Sequence, residues 1–306
     1  RRPWIDWIHT AKDQGALLRN YTKWDDEPRS AEAIVETMYR ANQMARSEPP
    51  GPVYVCLDAG LQESALDEEI TIPDVSKYVL SDSPRASENA VAEVADLLMG
   101  AKSPVIMIGR SGRSQEAWDN RVKLAEATGA GVFTNLRNSA VFPSAHLLHV
   151  GRPAGGVNPA MREAVHGADV ILSLNWLDFG GTQRLLKRDG EIKGKIVHCS
   201  MEQSVHTGYG MELFELPAAD INITADHDAF VAQLLAEIAR RGNASKWDGK
   251  RVGPEPEAYE PIANRDAGGN IEPADIVTAV AEAQGDREIC INRVASGGMG
   301  PAYEIT

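Results

Sequence analysis

The stretch Pro104-Val105-Ile106-Met107-Ile108-Gly109 is apolar from end to end and closes on a glycine. A continuous apolar run of strand length predicts a β-strand covered on both faces, as in a parallel sheet. Helical patterns flank it. Ser87 to Met99 places Val91, Val94, Ala95 and Leu98 on one side, with Gly100 just beyond its end. Gln115 to Thr128 turns Trp118, Val122, Leu124 and Ala125 inward. Further strands are predicted at Gly131–Thr134, Ala168–Leu174 and Lys195–Cys199, with a short edge candidate at Ile221–Ile223. Met161 to His166 reads as helix. Asp226 caps a last helix over His227 to Arg240, whose face carries Phe230, Leu234, Leu235 and Ile238. Strands alternating with helices imply an α/β fold, a doubly wound, Rossmann-like parallel sheet with right-handed crossovers. Residues 85–240 are expected to hold about five or six strands with helices on both faces, Val105–Ile108 and Val170–Leu174 being central.

Composition narrows the setting. A net charge of −13 argues against nucleic acid or an anionic membrane as partner. No apolar run approaches the roughly 20 residues that span a bilayer, and no secretory leader is visible, so a cytoplasmic protein is expected. Cys56, Cys199 and Cys290 are isolated and set in or beside apolar runs, the pattern of reduced, buried thiols. Two stretches have the composition of solvated connections: residues 63–84, acidic and interrupted by Pro73 and Pro84, and residues 241–270, rich in glycine and proline.

Upstream of the first connection lies Pro49-Pro50-Gly51-Pro52-Val53-Tyr54-Val55-Cys56-Leu57-Asp58. The prolines stop any helix, and Val53–Leu57 reads as a short strand covered on both faces. Ser30 to Arg46 before it is helical, with Ala33, Ile34, Thr37, Met38, Ala41 and Ala45 on one stripe. One helix, one corner and one strand are too little to fold alone, so the chain is expected to begin inside a domain.

This arrangement resembles the end of the pyrimidine-binding domain of thiamine-diphosphate-dependent enzymes in the acetolactate synthase and 2-oxo acid decarboxylase superfamily. There too a helix leads into a Gly-Pro-Val-(aromatic or Leu)-Val strand. The segment Asp13-Gln14-Gly15-Ala16-Leu17-Leu18-Arg19-Asn20-Tyr21-Thr22-Lys23-Trp24 resembles the one in which that family places a Gln and a Thr-Lys pair. The resemblance divides the chain into the C-terminal part of a pyrimidine-binding domain (1–62), a linker (63–84), a central α/β domain (85–240), a second linker (241–270) and the start of a diphosphate-binding domain (271–306). Asp275 to Ala283 resembles the opening helix of that last domain, and Glu288 to Asn292 its first strand.

The resemblance implies thiamine diphosphate and Mg²⁺ in the complete enzyme, a 2-oxo acid substrate, and a homodimer or homotetramer. The family's catalytic Glu lies early in its first domain and its metal-binding Gly-Asp-Gly…Asn in its last. Gly285-Asp286-Arg287 is not that motif, so no catalytic or metal residue is assigned here. Gln14 and Lys23 match the family's Gln and Lys near the dimer-formed site, and His9 beside Trp4 and Trp7 is a candidate to face substrate. Asp58-Ala59-Gly60 stands where acetolactate synthases carry Pro-Lys-Asp, and the missing Lys counts against strict acetolactate synthase activity.

Some family members bind FAD or a nucleotide diphosphate on the central domain. Gly109-Arg110-Ser111-Gly112, after a strand and before a helix, has the position of a phosphate-binding turn. It lacks Gly-x-Gly-x-x-Gly spacing, and tight-turn packing without a ligand is the better reading of the glycines. The FAD-binding Gly-Met-His-Gly is replaced by His149-Val150-Gly151-Arg152, and Arg-Phe-Asp-Asp-Arg by Trp176-Leu177-Asp178-Phe179-Gly180, which counts against FAD. His146, His149, Arg152 and His166 surround the loop from Gly151 to Gly156, with no metal-ligand spacing. Gly109, Arg110, Gly151 and Arg152 are therefore the cofactor-side candidates of the central domain, alongside Gln14 and Lys23. Two readings stand: part of a thiamine-diphosphate enzyme that decarboxylates or ligates 2-oxo acids, or a non-catalytic α/β nucleotide-binding or scaffold module.

Overall fold

Short oxygen-bearing side chains start the helices of this chain. Ser30, Ser87, Ser114, Asn158 and Asp226 each accept the backbone N–H three residues ahead. That satisfies one of the N–H groups that a helix leaves unpaired at its start. The computed structural model describes residues 11–66, 68–135, 137–138, 140–151, 156–202, 215–242, 244–253, 273–285 and 287. His9, Arg152, Cys290 and the strand expected at 288–292 lie outside them. The chain divides into two compact units, Arg1–Pro254 and Glu255–Thr306.

In the first unit, α1 (Gly15–Leu18) precedes β1 (Trp24–Asp26), α2 (Ala31–Arg46) and β2 (Val53–Val55), and α3 (Ala59–Glu63) follows. The two strands pair in parallel, Trp24 opposite Val53 and Asp26 opposite Val55. Sequence reading expected Val53–Leu57 to be covered on both faces. The strand is shorter, and all its residues are half-buried, because its sheet has two strands. Along α2, Thr37 and Ala41 are buried while Met38 is exposed.

The main sheet holds β3 (Pro104–Ile108), β4 (Gly131–Thr134), β5 (Val170–Leu174), β6 (Lys195–Cys199) and β7 (Ile221–Ile223). Their spatial order is β4-β3-β5-β6-β7, all parallel. Every residue of β3 and β5 is buried, as the unbroken apolar runs require. Helix α4 (Glu88–Gly100) precedes them, α5 (Gln115–Thr128), α6 (Pro159–Gly167) and α7 (Phe179–Lys187) connect them, and α8 (His227–Arg240) follows. Two apolar clusters form the core. One joins Ile106, Ile108, Leu172 and Leu174 to Leu98, Leu124 and Phe230, and the other joins Val105, Met107 and Ile171 to Met161, Val165 and Leu186. Alternate residues of β3 and β5 thus feed opposite faces, the mark of a sheet covered by helices on both sides.

One helix was not anticipated, and two readings are corrected. Helix α7 has no apolar stripe obvious in sequence, because Gly180 and Gly181 open it. Gly180 is needed there, since a Cβ would come within 2.0 Å of the Glu215 carbonyl oxygen. Trp118 and Val122 are only partly buried on α5, whereas Arg121 is fully buried. Residues 244–253 were expected to be a solvated connection, yet they pack on the sheet domain. Lys246 N–H donates to Ala127 O, Val252 N–H to Leu147 O, and the Lys246 ammonium to Met99 O at 3.2 Å and to Ala101 O at the end of α4. A cation there meets the negative end of a helix dipole. In the second unit, the helix α9 (Pro273–Gln284) forms where the sequence predicts one.

Substituting Ile171, 1% exposed between Val105 and Ile196, by Asp should cost about 3–5 kcal/mol, because it buries an unpaired charge. Urea unfolding checks this; a wild-type midpoint would contradict the central placement of β5.

Candidate functional site

Chain order reverses between β3 and β5: the connection from β3 runs outward to β4, while that from β5 runs the other way to β6. A crevice opens beyond the carboxyl ends of the strands at such a switch point, and ligands of open α/β sheets bind there. Gly109 leaves β3 and Asn175 leaves β5. A Cβ on Gly109 would fall 2.0 Å from the Asn175 carbonyl oxygen, so only glycine fits. Asn175 adopts left-handed φ of 48°, a conformation Asn tolerates better than most residues. From it, the Asn175 amide donates to Arg110 O at 2.8 Å, its side-chain oxygen accepts the Ser200 hydroxyl at 2.9 Å, and its backbone N–H donates to Cys199 O. One residue thereby joins the exits of β3, β5 and β6.

The crevice is lined by Arg110, Trp176, Asp178, His198, Ser200 and Glu202, among others. Arg110 forms an ion pair with Glu202, whose own N–H donates to the Ser200 hydroxyl oxygen at 3.0 Å. The Gly109 N–H donates to Leu174 O and the Arg110 N–H to Asn175 O. Asp178 caps α7 by accepting the Gly181 N–H at 2.9 Å. His198 stacks on Phe179 with ring centroids 5.1 Å apart and meets the Ser173 hydroxyl through Nδ1 at 3.0 Å. Burial holds its pKa down to about 4, so it is neutral at pH 7.

A buried cation fastens the neighbouring loop. Arg121, 1% exposed on α5, donates to Val141 O at 2.8 Å, to Gly112 O at 3.1 Å and to the Asp228 carboxylate at 2.5 Å. The second Asp228 oxygen accepts the Gly112 N–H at 2.7 Å. This clamp ties α5, α8 and the turn after β3 together. His227 beside it is buried, which lowers its pKa and keeps it neutral.

The sequence-derived candidates separate in space. The Gln14 side-chain oxygen faces the Tyr54 hydroxyl and the Cys56 thiol, each at 3.4 Å. The Lys23 ammonium donates to Ser47 O at 2.7 Å, Ser47 Oγ at 2.9 Å and Pro49 O at 3.0 Å, closing the corner after α2. Gly109 and Arg110 lie at the crevice. Gly151 has left-handed φ of 70°, and its carbonyl accepts from His149 Nδ1 at 2.8 Å. A carbonyl can only accept, so His149 carries its proton on Nδ1 and takes the Thr134 hydroxyl at Nε2, 2.9 Å away. His146 meets Glu126 and His166 meets Leu186 O, so the histidines serve separate contacts. Among the described residues, no three His, Cys, Asp or Glu side chains converge as a metal site. No described helix is long and apolar enough to cross a membrane.

Sequence reading missed Asn175, Glu202, His198 and the Arg121–Asp228 clamp. One signal was present: Arg121 stands on the same helical stripe as Leu124, Ala125 and Thr128, where a charge has to find a buried partner.

Comparison with known proteins agrees with this architecture. Residues 91–234 match the family profile "Thiamine pyrophosphate enzyme, central domain". The acetolactate synthase of Mycobacterium bovis is 25% identical over 236 residues, 74% of this chain and 35% of the relative. The sulfoacetaldehyde acetyltransferase of Rhodobacter capsulatus is 29% identical over 162 residues, 53% of this chain and 26% of the relative. The crystal structure of benzoylformate decarboxylase from Polynucleobacter necessarius superposes with a TM-score of 0.59 at 18% identity, covering 93% of this chain and 48% of that one. At that identity the likeness is one of fold. The chain spans about a third of the length of the first curated relatives it matches.

Removing the Asp228 carboxylate (D228A) strands the Arg121 guanidinium in the interior and should cost about 3–5 kcal/mol in urea unfolding. Replacing both partners by apolar residues (R121M/D228L) should recover part of the loss. The histidines give a pH signature. A His198 with a folded pKa near 4 is protonated more readily in the unfolded chain, whose value is 6.5. Its stabilisation is complete above about pH 6.5 and is lost as pH falls towards about 4, on the order of 3 kcal/mol over that window. H198Q should flatten the stability–pH slope there, and an unchanged slope would contradict the buried, neutral assignment.

Proposed function

We infer that this chain, which belongs to the thiamine pyrophosphate-dependent enzymes through its central domain, works within an enzyme that decarboxylates or ligates 2-oxo acids. The observation that carries the reading is the match over residues 91–234, on a parallel sheet of strand order β4-β3-β5-β6-β7. The acetolactate synthase relatives favour carboligation; thiamine diphosphate and Mg²⁺ as cofactors, and a cytoplasmic homodimer or homotetramer as the working form, are what the sequence resemblance implies. Ala59, where the resembling enzymes carry Lys, argues for a 2-oxo acid enzyme of acetolactate synthase type rather than a strict acetolactate synthase.

The described residues do not fit the cofactor's charged end. They hold no converging set of three acidic, His or Cys ligands, and the 306 residues contain no Gly-Asp-Gly. A hard cation bridging a diphosphate needs such oxygen ligands. When bound, thiamine diphosphate supplies the carbanion chemistry, while the protein supplies orientation and electrostatics. This chain's share is then a rigid central platform and one flank of the pyrimidine side. There Gln14, beside Tyr54 and Cys56, is the assigned contact, and Lys23 holds the corner that presents β2. Of the alternative, a non-catalytic α/β nucleotide-binding or scaffold module, the nucleotide-binding form is disfavoured by the carboxylates of Asp178, Glu202 and Glu215 that line the switch-point crevice.

Calorimetric titration of the 306-residue chain with thiamine diphosphate and Mg²⁺ should show no saturable micromolar binding, and pyruvate should not turn over. The protein encoded by the extended reading frame should consume pyruvate, with acetolactate or acetaldehyde separating ligation from decarboxylation. Turnover by the chain alone, or inert extended protein, would overturn the reading.

A further inference from the structure

We propose that residues 244–253 form a detachable latch, locked by the Lys246 ammonium, which sets where the chain leaves the sheet domain for the second unit. The segment lies between α8 and that unit, which starts at Glu255. Glycines in left-handed conformation mark its ends and its middle: Gly242 at φ 70°, Gly249 at 81° and Gly253 at 86°. Fastened, the chain departs at Gly253. Released, it departs at Gly242, which adds at most roughly 40 Å of reach to the tether.

The latch holds the ends of two helices. A helix leaves its last carbonyls without partners of its own. The Ser245 hydroxyl donates to Glu126 O at 2.7 Å, the Trp247 N–H to the same oxygen at 3.3 Å and the Lys246 N–H to Ala127 O at 3.1 Å, all in the last turn of α5. The Lys246 ammonium reaches across to α4, donating to Leu98 O at 3.4 Å, to Met99 O at 3.2 Å and to Ala101 O just beyond its end. The Asp169 carboxylate, which accepts the Ser103 N–H at 3.0 Å, lies near enough to add to the attraction. At the far end Trp247 lies over the His146 ring, centroids 5.0 Å apart, and the Val252 N–H donates to Leu147 O at 2.9 Å.

These contacts open without opening the core. No residue from 244 to 253 is buried, whereas every residue of β3 and β5 is. The carbonyls that the segment holds stand at helix ends, where water takes its place once it leaves. The segment also keeps a turn of its own. Trp247 Nε1 donates to Lys250 O at 2.7 Å, and the Lys250 N–H donates to the Asp248 carboxylate at 3.0 Å. Segments with few buried contacts open locally at a lower free energy than core strands. Lys246 is the lock because a charged donor binds carbonyls more strongly than a neutral one, and here it meets the negative end of a helix dipole.

The test is amide hydrogen exchange on the full 306-residue chain, corrected for intrinsic rates, with melting curves to follow folding. In wild type the Lys246, Trp247 and Val252 amides should exchange more than about tenfold faster than those of Ile106 and Leu172 in the core strands. K246M, which keeps the stem and removes the charge, should speed the three latch amides by a further factor of about ten and leave the two core amides unchanged. K246R, which keeps the charge, should exchange more slowly at the latch than K246M. Trypsin should cut K246M after Lys250 faster than it cuts wild type. A smaller gap between latch and core in wild type would overturn the proposal, because the segment would then open only with the whole domain. Latch amides unmoved by K246M, or equal latch rates in K246M and K246R, would overturn the charge as lock. Equal acceleration of latch and core by K246M, or loss of its cooperative melting, would overturn the proposal as well, because Lys246 would then be a strut of the fold and not a latch.

Discussion

The close approach of two strand exits governs this domain. β3 and β5 lie side by side and leave the sheet in opposite directions, and their first residues beyond it touch so tightly that Gly109 has no room for a Cβ. Asn175 answers by turning into a left-handed conformation and using its side chain as a two-way connector, donating to Arg110 O and accepting from Ser200. Such a conformation costs a residue other than glycine about 1–3 kcal/mol and persists where surrounding contacts over-determine it. Here they do. The position of Arg110, the path of the chain after β6 and the mouth of the crevice all follow from that single crossing.

Electrostatics then decides what the crevice is. Backbone N–H groups and a helix start at the ends of parallel strands commonly face an anion. In this chain carboxylates from three different loops and helix starts occupy those positions, and a fully buried arginine neutralises one of them. The buried histidines stay neutral because burial disfavours the charged imidazole. Most polar groups of the edge therefore find partners within the chain, the buried Arg110 Nε being an exception among the described residues.

The N-terminal segment follows the same logic on a smaller scale. Lys23 spends its ammonium on three acceptors around the proline corner, and Gln14 lies against Tyr54 and Cys56 at the end of β2. Both side chains thus shape the local chain. The resemblance located these residues; their hydrogen bonds explain why they hold still.

The sequence by itself determined the five strands of the main sheet and most of the helices around it. Apolar runs such as Val105–Ile108 and Val170–Leu174, and stripes such as Val91, Val94, Ala95 and Leu98, record burial directly, because burying apolar area is additive along the chain and leaves a period. Asp226 marked the start of α8 for the same local reason. What only the tertiary structure decided involves partners far apart in sequence. Arg121 is legible as an anomaly on an apolar stripe, but its partner Asp228 is not, because nothing periodic links the two. Helix α7 was hidden by glycines whose purpose is the passage of a distant backbone. The stretch from 244 to 253 looked solvated because its packing rests on backbone hydrogen bonds, one lysine and two isolated apolar side chains, Trp247 and Val252, rather than on an apolar run. Glu202 on Arg110 belongs to the same class: a charge pair is set by distance in space, and a sequence carries no measure of that distance until the fold supplies it.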